Sequence, residues 1–182
     1  MLPNDDIALH KAFERILSQN DLSDYISDIV ELIYKNKLSV KSLDQVLSEY
    51  EIKDIRSINS ELLDLLILYI YEVLRDNIID ENEKRNIKIL KLFFKIKEGD
   101  FYKNRYKEIE NILHIQFEKL YIDNKISKEE ALHNFKLRSI FDLSHEQFDK
   151  FKENEVRRAL ESGAKITDLD TSIIPKNVKD ID

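Results

Sequence analysis

At 182 residues, with 42% hydrophobic and 36% charged side chains, the chain has the composition of a folded domain rather than a disordered tail. Two glycines (Gly99, Gly163) and two prolines (Pro3, Pro175) are too few for the frequent turns of a β-rich domain. The formal charge of −7 disfavours nucleic acid and anionic lipid as partners, and the lack of cysteine excludes disulfides, thiolate catalysis and Cys-based zinc sites.

In chain order, helix-period spacing of apolar residues predicts a first helix over about 5–18, carried by Ile7, Phe13, Ile16 and Leu17. A second is expected over about 22–35, with Leu22, Tyr25, Ile26, Ile29, Val30 and Ile33 on one face, and a third over about 40–50. The fourth, about 59–75, is apolar nearly all round, which marks a buried central helix. A fifth follows over 81–97, a sixth over about 101–122 and a seventh over about 128–141. The eighth, about 145–162, turns Phe148, Phe151, Val156, Ala159 and Leu160 inward and stops at Gly163. Residues 164–182 are polar, broken by Pro175, and read as a tail. The most apolar stretch, Leu62 to Leu74, carries Asp64 and Glu72 and is shorter than the ~20 residues of a membrane span. Without a basic and apolar leader in Met1–Asp6, a cytoplasmic protein is expected, with no direct membrane insertion.

Two helix junctions read alike, 47 residues apart. Residues 76–83, Asp-Asn-Ile-Ile-Asp-Glu-Asn-Glu, align with residues 123–130, Asp-Asn-Lys-Ile-Ser-Lys-Glu-Glu. At the same offset, Leu90, Phe93, Phe94, Ile96 and Phe101 meet Leu137, Ile140, Phe141, Leu143 and Phe148. Asn36-Lys37-Leu38-Ser39 is a weaker echo of Asn124-Lys125-Ile126-Ser127. Asn77 and Asn124 suit the left-handed conformation that ends a helix. Asp80 with Glu83, and Ser127 with Glu130, form expected capping boxes, each cap contributing ~1 kcal/mol. A third box begins at Ser144. The expected fold is all-α, a single bundle of about eight helices built around a repeated αα-hairpin. Its N-terminal helices cover 1–58, the repeated core 59–163 and the tail 164–182.

An apolar helix, an Asp, a small turn residue, a variable position, an Ile and a capped acidic helix start together resemble TerB-like domains, the helical modules of tellurite-resistance-type proteins. The matches are Asp76, Ile79 and Glu83 in one half and Asp123, Ile126 and Glu130 in the other, with Asn77 and Asn124 where the family carries glycine. The likeness spans roughly Glu61 to Glu161. It implies a non-enzymatic module of bacterial stress and metal or oxyanion response that associates with a membrane-complex partner. It also implies a divalent cation at the acidic turns, through Asp76, Glu83, Asp123 and Glu130; helix capping accounts for the same residues without a ligand. An EF-hand is ruled out, because its third ligand position falls on Ile78 and Lys125 and its final Glu on Ile87 and Asn134.

Two charged stripes complete the candidates. Asp21, Asp24, Asp28 and Glu31 form an acidic stripe, read either as a solvated face or as a landing surface for a basic protein. From the latter comes the alternative of an acidic immunity or antitoxin protein that masks a basic toxin. Lys84, Lys88, Lys91 and Lys95 form a basic stripe, most simply a solvated face opposite Ile87, Leu90, Phe93 and Phe94. His10, His114, His133 and His145 lack metal-ligand spacing, and no nucleophile motif or phosphate loop is present, so no enzymatic activity is expected.

Overall fold

The computed structural model describes residues 7–120 and 128–161, and these are helical, with no strand among the described residues. Helix α1 spans Ile7–Gln19, α2 Asp24–Tyr34, α3 Val40–Glu49, α4 Asn59–Val73 and α5 Glu81–Phe93. Then come α6 (Asp100–Asn104), α7 (Tyr106–Leu120), α8 (Lys128–Ile140) and α9 (His145–Glu161). Two 3-10 turns, Ile55–Ile58 and Leu74–Asp76, flank α4. The all-α class holds. The chain divides into two compact units, Met1–Lys97 and Glu98–Asp182. In the first, α4 lies against α1, α2 and the Ile55–Ile58 turn as well as α5.

In the first unit α4 buries most of its surface, including Leu62, Leu63, Leu66, Tyr69 and Ile70, and leaves Ser60, Asp64 and Tyr71 exposed along one side. Against it α1 sets Leu9, Ala12, Phe13 and Ile16, while α2 sets Ile26, Ile29, Val30 and Ile33. These positions recur three and four residues apart, as an amphipathic helix on a core requires. Phe13 stacks on Tyr69 with ring centroids 4.9 Å apart. Ile7 is 68% exposed, because at 3.6 residues per turn it falls on the side of α1 roughly opposite Leu9, Ala12, Phe13 and Ile16.

In the second unit the expected helix over 101–122 is two helices, broken at Arg105 (φ −137°, ψ 35°). The break follows from tertiary demand. Phe101 is wholly buried edge-on to Phe141 (5.7 Å), while Tyr102 and Tyr106 both lie against Phe151, at 6.0 and 4.9 Å. Arg105 closes α6 through its N–H to Phe101 O and opens α7 by accepting from Ile109 N–H.

The starts of α4 and α7 lie 47 residues apart, and so do the ends of α5 and α8. The ends of α5 and α8 also bond alike. Ile96 N–H reaches Lys91 O (3.0 Å) behind a left-handed Lys95, and Leu143 N–H reaches Arg138 O (3.1 Å) behind a left-handed Asp142. The same closure, a residue at positive φ with a bond back across the last turn, ends α2 at Asn36 and α3 at Glu51. Beyond Leu143 the likeness stops. The Ser144 capping box with Gln147 starts α9, whereas the corresponding stretch leads through a left-handed Gly99 into the short α6. Gly163, the tail 164–182 and the corner 121–127 lie outside the described residues.

Candidate functional site

The first acidic turn is built as its local chemistry dictates. Leu74–Asp76 tightens the end of α4 and Asn77 enters the left-handed region (φ 61°), its N–H donating to Leu74 O at 3.1 Å. Asp76 Oδ1 accepts from Ile78 N–H (2.9 Å), which fixes the exit from the turn. Ile79 is buried, and Asp80 then caps α5. Its Oδ1 accepts from Glu83 N–H (2.7 Å), while Glu83 Oε2 accepts from Asp80 N–H (2.8 Å). Asp76 and Glu83 thus each close the turn through backbone N–H groups that the helix ends leave over. The other two residues of the expected cation site cannot be set beside them: Asp123 and the side chain of Glu130 lie outside the described residues. Among the described residues no group of three or more His, Asp or Glu side chains converges as ion ligands do.

The echo at 36–39 takes the same form. Asn36 is left-handed (φ 53°), Leu38 is buried, and Ser39 caps α3 in a reciprocal box with Ser42.

The acidic stripe on α2 is partly engaged. Tyr50 donates its hydroxyl to Asp28 Oδ2 (2.7 Å), Glu31 pairs with Lys35, and Asp21 and Asp24 are exposed. The Asp28 bond, with some desolvation and the nearby carboxylates, pushes the Tyr50 phenol up to about 12. Asp28, Glu31 and Glu49 also line a shallow depression between α2 and α3.

On α5 the basic stripe is not continuous. Lys91 is buried, its methylene stem covering core surface, whereas Lys88 and Lys95 are exposed. Between them stands Leu92, 71% exposed. Leu92 forms one edge of an apolar groove of about 440 Å³, walled by Val40, Leu43 and Leu47 of α3, Ile55, and Ile89 and Phe93 of α5. Val40, at the mouth, is 68% exposed. Reading helix faces missed this groove, yet α5 carries a signal for it. Ile87, Ile89, Leu90, Leu92, Phe93 and Phe94 are more apolar positions than one core-facing stripe holds. At the mouth Asp54 caps the Ile55–Ile58 turn and grips Arg56 through both guanidinium and backbone. These bonds hold the Asp54 carboxyl down at about 2, with a smaller contribution from the charge of Lys95.

In the second unit, His133 is buried and its Nε2–H donates to Gln116 Oε1 (3.1 Å). Desolvation, and then the charge of Lys136, push His133 below the ordinary histidine value of 6.5. The unfolded chain therefore takes up this proton first. The contribution of His133 to stability is intact above pH 6.5 and is lost as pH falls below it. Replacing His133 with Gln, which keeps an N–H donor toward Gln116, is expected to flatten the fall in urea midpoint between pH 7.5 and 5. An unchanged slope would show that His133 binds its proton equally well in the folded and unfolded chains.

No helix among the described residues is long and apolar enough to cross a membrane. No family model, curated protein or solved structure matches the chain, so the TerB-like likeness rests on the residues of its turns alone.

Proposed function

We propose that the chain is a non-enzymatic, helical binding module of TerB-like type that holds a protein partner in the apolar groove between α3 and α5. The groove carries this reading. A chain that leaves Leu92 and Val40 largely in water beside a walled apolar cavity presents surface that a partner's side chains can desolvate. The TerB-like part is supported by the Asp76–Glu83 corner, whose Asn77 supplies the left-handed bend that glycine supplies in the family. It is supported also by the 47-residue spacing between the starts of α4 and α7 and between the ends of α5 and α8. With it come a cytoplasmic role in stress or tellurite-type response, a partner in a membrane-associated complex and a divalent cation at the acidic turns.

Co-purification with the tagged full chain tests the groove. Leu92→Asp is expected to release a partner that the wild type retains, without lowering the melting temperature, because the side chain is exposed. Retention of every partner by Leu92→Asp refutes the groove reading. Calorimetry with Ca²⁺, Mg²⁺, Mn²⁺ and Zn²⁺ tests the cation, and no heat at millimolar metal removes it. The second reading, an immunity protein for a basic toxin, is favoured by the exposed Asp21 and Asp24 on α2 and the net charge of −7. There, reversing Asp24 and Asp28 to Lys, and not Leu92→Asp, releases the partner.

A further inference from the structure

We propose that the α7–α8 contact of the second unit is an acid-sensitive latch: proton uptake by His133 frees α8 from α7 while the first unit stays folded. How α8 meets the core leads there. Its buried side chains, among those described, are His133, Asn134, Leu137 and Ile140, whereas Leu132 and Phe135 stand exposed. The first half of the contact is thus polar inside and apolar outside, so closing it takes little apolar surface out of water. The hold there is the bond from His133 Nε2–H to Gln116 Oε1 of α7 (3.1 Å), with both side chains buried. Asn134, next along, buries its Oδ1 with no hydrogen-bond partner among the described residues, which weakens the closed state further.

The surrounding charges make this contact answer to one proton. Facing the imidazole are Gln116 from α7, which is neutral, and Lys136 from α8 itself, which is a cation. Among the described residues no carboxylate bonds to the ring. A charged ring would therefore be buried without a counter-ion and near a like charge, and both effects favour the neutral form while α8 is closed. Once α8 opens, water solvates the imidazolium, so acid draws the helix toward the open state. Opening also bares Leu137 and Ile140 on the helix that already exposes Leu132 and Phe135, giving an apolar surface that neutral pH keeps half covered.

Amide hydrogen exchange on the full chain at pH 7 and pH 5, corrected for the intrinsic pH dependence of exchange, tests the latch. Protection across α8 is expected to fall by about tenfold relative to α4 on going to pH 5, and to return at pH 7. His133→Gln is expected to remove that difference. Gln116→Glu, which sets a carboxylate against the ring, is expected to keep α8 closed at pH 5. No loss in α8, an equal loss in α4, or a loss that His133→Gln retains overturns the proposal. So does a Gln116→Glu chain whose α8 opens in acid as readily as that of the wild type.

Discussion

Replacing Phe13 with alanine is expected to destabilise the first unit by about 3–5 kcal/mol, a large share of the ~5–15 kcal/mol that holds a typical domain folded. Phe13 is wholly buried where α1 meets α4, and its ring stacks on Tyr69, itself buried. Truncation removes both the transfer gain and the aromatic contact, and it leaves a cavity walled by α4. That helix is held by buried residues against α1, α2 and α5 and so cannot slide to fill the space. Urea unfolding should show a much lower midpoint, with amide exchange accelerated across α1, α2 and α4. Ile7→Ala, at an exposed position of the same helix, serves as the control and should stay within about 0.5 kcal/mol of wild type. Equal shifts for the two variants would mean that α1 is not docked through Phe13.

The second large effect is a matched pair. Phe94 and Phe141 stand 47 residues apart, both wholly buried, and each precedes the left-handed residue that ends its helix. Each alanine substitution is expected to cost about 3–5 kcal/mol. Phe141→Ala should be the costlier, because it also forfeits the edge contact with Phe101, worth roughly 0.5–1.5 kcal/mol. Urea melts with exchange mapped to each unit would measure both. A large loss at one position and a negligible loss at the other would show that the shared spacing does not reflect a shared packing role.

What was legible in the sequence was local. The caps at Asp80 and Ser144 and the left-handed Asn77 all follow from chemistry within a few residues, and each is found in place. The deep burial of most of α4 was equally plain in its composition. Tertiary choices were not. The break at Arg105 leaves the apolar period undisturbed and comes from rings that sit on α8 and α9. The division at 97/98 depends on which helices α4 packs against, and periodicity carries no such information. Lys91 is buried although it shares the stripe of exposed lysines, because burial is set by what packs over α5 and not by charge spacing along it. Of the expected sites, the stripes were visible as charge, but the Tyr50 bond to Asp28 and the exposure of Leu92 needed neighbours from other helices.

Among the described residues, Asn36, Glu51, Asn77, Lys95 and Asp142 make left-handed bends without glycine. Each such residue is held against a preference of roughly 1–2 kcal/mol. In exchange, the denatured chain lacks the floppy links that glycine would place at these bends, so folding has less disorder to overcome there. Each bend also keeps a side chain on its outer surface. The hairpin tips of this molecule can therefore diverge in charge, from the lysine after α5 to the aspartate after α8, while the path of the backbone stays the same.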